Sequence, residues 1–299
     1  LTVNADLNIG GDIILDGTAT LTYQKPIIMT GNISLYQSAN ELSTQGIVVE
    51  SLFNAGRIEV DEGISVNSVL TVPGTGKIYA TDISADIAEI TGDLYISETI
   101  DVTNDLTCNI GAYITADFIA ALNLYADDTY IKADSFVTHD WASENDGNFE
   151  IMNTSDVRIL NINVNTLTVD NSYLETETVN VSKDMLMNSS TTLTVPYATT
   201  NPRHVYGLDL NIIGDLTVMA DAKISLSRKG FQDDYSGPDF DSYGGSMMCH
   251  AGQSGAPGTW GETYGDYRSS AFAGSGSYYY EGGGYAEINA DSIVLHGSI

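Results

Sequence analysis

"GDLYISETIDVTNDLTC", Gly92 to Cys108, is the stretch that decides the fold class. Leu94 and Ile96, Ile100 and Val102, and Leu106 and Cys108 form pairs two residues apart, separated by Tyr95, Asp101 and Thr107. A period of two with β-branched residues marks half-buried strands, because successive side chains of a strand point to opposite faces. The pattern returns in "LTVNADLNI" (Leu1 to Ile9), "GRIEVDEGISV" (Gly56 to Val66), "NINVNTLTV" (Asn161 to Val169) and "AEINADSIVL" (Ala286 to Leu295). Gly, Asn and Asp punctuate these runs at short intervals, as turns require. Helical periodicity is nearly absent; the one candidate is "ISADIAEI", Ile83 to Ile90.

Leu-Thr-Val recurs at Leu1, Leu70, Leu167, Leu193 and Leu216. The gaps are 69, 97, 26 and 23 residues (70−1, 167−70, 193−167, 216−193). They suggest a coil of roughly 23–24 residues, within the range of solenoid repeats. A β-sandwich also yields alternating strands and frequent turns. The recurring tripeptide and the lack of a Cys/Trp core pair favour the solenoid. The expected fold is therefore all-β: a single-stranded parallel β-helix, or β-solenoid, over 1–229. A Gly/Tyr-rich loop excursion over 230–284 and a final strand of the same solenoid over 285–299 complete it. The excursion is set off by composition: from Gly230 onward lie 15 of the 29 glycines and 8 of the 18 tyrosines. "VTHDWASENDGNFE", Val137 to Glu150, reads as a shorter loop projecting from one coil.

The chain has 299 residues, 40 acidic and 11 basic, for a formal net charge of -29. Such a charge repels nucleic acid and anionic membrane and suits a solvated extracellular surface or a cation-rich setting. With 42% hydrophobic residues in ordered alternation, disorder is not expected. No run approaches the roughly 20 apolar residues of a membrane span. Opening on "LTVNADLNIG", the chain reads as a processed form or an excised segment. Cys108 and Cys249 read as free or buried thiols, with a single disulfide as the alternative. Four N-x-[ST] sequons give candidate glycosylation at Asn32, Asn153, Asn180 and Asn188.

No reaction is expected. "PGTGKI", Pro73 to Ile78, mimics a phosphate-binding loop, but Thr71 stands where its first glycine belongs and Ile78 where its hydroxyl residue belongs. It reads as a tight turn between coils. The four histidines, His139, His204, His250 and His296, form no zinc spacing, and no nucleophile elbow surrounds any serine. Carboxylates cluster at Asp127-Asp128 and at Asp233, Asp234, Asp239 and Asp241. The second group sits in a Gly/Pro-turned loop and forms the candidate calcium site, since hard cations take oxygen ligands; no other cofactor is indicated. A carbohydrate-active lyase or glycosidase would use such carboxylate pairs, but 11 cations leave few partners for them. The run Tyr278, Tyr279 and Tyr280, with Trp260, Tyr264 and Tyr267, reads either as a satellite core or as a surface for glycans or another subunit.

The C-terminal quarter resembles a segment of large secreted surface proteins of bacteria and archaea. The elements that carry the likeness are Ile224-Ser225, Gly230-Phe231, Gly244-Gly245-Ser246, His250-Ala251-Gly252, Tyr264-Gly265, Gly274-Ser275-Gly276 and Gly282-Gly283-Gly284. The last leads into Ala286-Glu287-Ile288 and on to Gly297-Ser298-Ile299. Ser227-Arg228 and the absence of proline between Tyr264 and Gly274 depart from the pattern. The resemblance implies an adhesin-like, right-handed parallel β-helix at the cell surface, and no reaction. Strands at both ends without a cap would pair with neighbours, so Leu1, Val3, Tyr278, Tyr279, Tyr280, Ile293, Leu295 and Ile299 are the candidate interface. The partner is a second copy in head-to-tail register or a continuing chain. The expected function is an extracellular structural subunit of a filament, sheath or adhesin. A phage tail fibre or spike shaft and a carbohydrate-active β-helix enzyme are the alternatives.

Overall fold

The computed structural model describes residues 2–3, 9, 11–139, 147–200, 203–204, 206–230, 247–250, 260–264 and 284–299. Every regular element among them is a strand, and 27 strands join one continuous sheet. Pairing within that sheet is parallel, from Thr2–Val3 on Thr20–Tyr23 to Gly207–Val218 on Tyr285–Leu295. The protein is an all-β solenoid. "ISADIAEI" belongs to a strand, Asp82–Ile90, as its alternating burial requires.

One coil shows the logic. The strand Gly63–Val72 supplies two faces: Ile64 to Val66 lie on face A and Leu70 to Val72 on face B. Between them the register shifts, from Val66 to Val69, so a β-bulge turns the corner without ending the strand. A tight turn follows, in which Gly76 N–H donates to Pro73 O at 2.7 Å. A Cβ at Gly76 would lie 1.9 Å from Asn54 O in the coil beneath, so only glycine fits there. "PGTGKI" is thus the tight turn its sequence indicates. Lys77–Ala80 then forms face C, and Asp82 opens the next coil opposite Gly63.

Stacking places like on like. On face B the inward ladder runs Leu52, Leu70, Ala88, Leu106, Leu124, Phe149, Leu167, Met185, Leu216 and Ile293. On face A, Ile64, Ile83, Ile100 and Ile119 stack; on face C, Leu42, Ile58, Ile78 and Leu94 stack. All of these side chains but Ile293, on the last rung, are buried, and each large one among them contributes about 1.5–3 kcal/mol of apolar transfer.

The coil length differs from the sequence expectation. Face B advances by 18 residues per step (70−52, 88−70, 106−88, 124−106), not 23–24. Leu70, Leu167 and Leu216 do share one ladder, but Leu193 stands on face C, opposite Leu174. The short gaps around Leu193 therefore compare different faces. The gap of 97 contains four steps of 18 and one of 25, from Leu124 to Phe149, which includes residues 140–146 outside the described residues. Phe136 and Phe149, on either side of that stretch in sequence, fill the core edge to face with centroids 4.8 Å apart.

Cys108 occupies a face B core position between Ile90 and Ala126. It is a free buried thiol, and burial pushes its pKa far above the ordinary value. The side chain of Cys249 lies outside the described residues.

Candidate functional site

The outward positions of face C gather the aromatic and cationic side chains of this acidic protein. Tyr79 and Tyr95 sit directly opposite in register and stack with centroids 4.7 Å apart. Tyr113 and Tyr130 do the same at 4.8 Å, and a tilted contact of 5.5 Å joins Tyr95 to Tyr113. Arg57 caps the column at 4.4 Å above the Tyr79 ring. Arg158 lies between Tyr130 and Tyr173, at 5.7 and 5.9 Å. Cations are attracted to ring faces, so these guanidiniums continue the stack. Each is also held by a carboxylate: Arg57 by Glu59, and Arg158 by Asp156 through bonds of 3.0 and 2.9 Å. The Asp156 carboxylate raises the Arg158 pKa above its ordinary value. Because the tyrosine faces meet one another, what they offer to solvent is ring edges and hydroxyls, not flat platforms.

The turns from face B to face C form a second column. Asp128, Asn153, Thr154, Asn171, Ser190 and Asp221 all have positive φ, as do Gly17 and Gly111. Short polar side chains tolerate that region by bonding locally. Thr154, at φ 71°, is β-branched and strained. Its hydroxyl donates to Asp128 Oδ1 at 2.6 Å, and Asn153 Nδ2 donates to Asp127 Oδ1 at 2.8 Å. The Asp127-Asp128 pair therefore fastens one corner to the next. Beside this corner a shallow groove of about 340 Å³ runs past Asp156, Arg158, Asn171, Tyr173 and Ser190.

Lys229 is 4% exposed and its ammonium makes no hydrogen bond. It lies 3.5 Å over the Tyr197 ring and 3.8 Å from Glu175 Oε2. Burial lowers its pKa, opposed by the Glu175 charge. Glu175 also accepts from Tyr173 Oη at 2.9 Å. Lys229 thus ties the chain leaving the last face C strand to a coil two rungs below. Gly284 N–H donates to Leu226 O at 2.7 Å, so the chain returns beside the point where it leaves.

Face A carries an asparagine ladder. Asn180 Nδ2 donates to Asn163 Oδ1 at 2.8 Å, Asn211 to Asn180 at 3.1 Å, and Asn289 to Asn211 at 3.1 Å. Asn180 is a sequon residue whose amide is engaged on both sides; a glycan there breaks the ladder. Of the other sequons, Asn153 is exposed on its corner, Asn32 donates to Asp12 at 3.2 Å, and Asn188 follows the strand Met185–Met187. Neither ladder was read from the sequence. The signal was present as Tyr at 79, 95, 113 and 130 and Asn at 163, 180 and 211, but it needed the unequal coil steps to align.

The candidate calcium ligands Asp233, Asp234, Asp239 and Asp241 lie outside the described residues, as do Leu1, Tyr278, Tyr279 and Tyr280. Val3 pairs with Tyr23, and Met247–His250 pairs in parallel with Trp260–Tyr264. Among the described residues no three His, Cys, Asp or Glu side chains come together to hold a metal, and no helix is long and apolar enough to cross a membrane. Ile293, Leu295 and Ile299 are 48%, 48% and 58% exposed. No family model, no curated protein and no solved structure matches the chain.

Proposed function

We propose that this chain is an extracellular structural protein, a self-assembling β-solenoid subunit of a surface filament, sheath or adhesin. The observation that carries the reading is the last described rung. Tyr285–Leu295 pairs with Gly207–Val218 on one edge and with no strand on the other among the described residues. Ile288, Ile293 and Leu295 continue core ladders, yet Ile293 and Leu295 stand about half exposed. Bare ladder ends recruit further strands. The rung that covers them comes from a second copy stacked head to tail or from continuing chain, and either extends the same rod. Calcium at the 233–241 loop and glycans at the aromatic excursion are partners this reading accommodates.

Electron microscopy of the purified chain tests it. Concentration-dependent filaments of one width are expected, and Leu295→Asp, which puts a charge on the bare rung, disperses them. Monodisperse monomers at every concentration, with and without calcium, overturn self-assembly.

A further inference from the structure

Four of the face C tyrosines, Tyr79, Tyr95, Tyr113 and Tyr130, are more than packing. Strand register fixes the Cα atoms of Tyr79 and Tyr95 on adjacent rungs, and likewise those of Tyr113 and Tyr130. The ring planes in each pair lie within 7° and 9° of parallel. All four side chains reach solvent, Tyr113 at 36% exposure and the others half-buried. Phenols held this close, at the surface and in pairs, are arranged for oxidative coupling. We propose that the face C tyrosine column is a cross-linking site, at which dityrosine bonds staple neighbouring coils.

The oxidant is hydrogen peroxide acting through a one-electron oxidant of the haem peroxidase class. Each phenol gives up one electron and its hydroxyl proton and becomes a phenoxyl radical. Two neighbouring radicals join through a new bond between ring carbons ortho to oxygen. The hydrogens on those carbons shift to the oxygens and restore both phenols. The two tyrosines together lose two hydrogens, and one peroxide becomes two waters.

The surroundings rank the rings. Tyr95 Oη donates to Asp93 Oδ2 at 3.4 Å, an oxygen that also accepts from Lys77 Nζ at 2.6 Å, so the Tyr95 proton has an acceptor at hand as the electron leaves. Tyr79 lies under the Arg57 guanidinium, which holds electrons on its ring. Within this pair oxidation therefore starts at Tyr95. Its directly opposed, stacked partner is Tyr79, whereas Tyr113 meets it diagonally at an interplanar angle of 39°.

The proposal rests on the structural reading for its purpose but not for its chemistry. The full chain is treated with a haem peroxidase and hydrogen peroxide at low protein concentration, and the monomer fraction is isolated. Dityrosine fluorescence is expected in that fraction, with mapped peptides joining Tyr79 to Tyr95 and Tyr113 to Tyr130, each short of two hydrogens. Tyr95→Phe keeps the stack and abolishes the first bond alone; Tyr130→Phe abolishes the second alone. A monomer without dityrosine, a yield that climbs with protein concentration, or peptides that omit both pairs overturns the proposal. Filament formation by these variants is read separately by microscopy, so loss of cross-linking and loss of assembly are distinguishable.

Discussion

Thr154 and Cys108 are the residues whose environments make the sharpest demands. Thr154 holds a left-handed backbone that a β-branched residue resists, at a cost of about 1–3 kcal/mol. Asparagine tolerates that conformation, and its amide can reach Asp128 in place of the lost hydroxyl. Thr154→Asn is therefore expected to raise stability by about 0.5–1 kcal/mol, read by denaturant unfolding. Cys108 keeps its proton in the folded chain far above its ordinary value of 9.0, because desolvation penalises the thiolate. The unfolded chain releases that proton near 9. The stability linked to this thiol is fully present below pH 9 and is lost as pH rises above it. Thiol reagents at pH 8 are expected to leave Cys108 unmodified in the folded protein and to label it after unfolding. Labelling of the folded chain at the unfolded rate contradicts the buried position.

Ladders are the unit of organisation at the next scale. The asparagine ladder crosses four strands; Asn180 and Asn211 each donate to one neighbour and accept from the next, while Asn163 accepts at one end and Asn289 donates at the other. Asn180→Ala removes two of these bonds and leaves Asn163 and Asn211 short of a partner. A loss of about 1–2 kcal/mol is expected in equilibrium unfolding, and an unchanged midpoint denies the ladder a stabilising role. Strand alternation was legible in the sequence because half-buried strands must alternate, and "GDLYISETIDV" carries that requirement without any tertiary information. The face to which each strand belongs was not legible. Gly63–Val72 runs through a corner on a bulge, so a single alternating run covers two faces. Leu-Thr-Val appears on both face B and face C because both need the same inward-outward-inward pattern. Coil length, and with it the tyrosine and asparagine columns, depended on that assignment. Lys229 could not have been found from its sequence neighbours, since its partners Glu175 and Tyr197 lie 54 and 32 residues earlier (229−175, 229−197).

Charge acts at the scale of the whole molecule. A net charge of -29 spread over an elongated core sets acidic outer positions against one another on successive coils. The surface pairs Arg57–Glu59, Lys77–Asp93 and Arg158–Asp156 stand in solvent that screens them and do not offset that repulsion. Raising salt from about 10 mM to about 150 mM shortens the screening length from about 30 Å to about 8 Å. The melting temperature is expected to rise across that range; a fall means that the ion pairs dominate.

The 18-residue step on face B also has a mechanical meaning. Hydrogen bonds between coils point along the solenoid axis, so a pull at the two ends loads one rung at a time, as in opening a zipper. The molecule is stiff against bending and soft against peeling. Each peeled coil of that length releases 18 residues, about 60 Å of slack at roughly 3.3–3.6 Å per residue. Optical-trap extension should record a low-force series with steps of that size, and longer steps where the rungs from Leu124 to Phe149, Met185 to Leu216 and Leu216 to Ile293 let go.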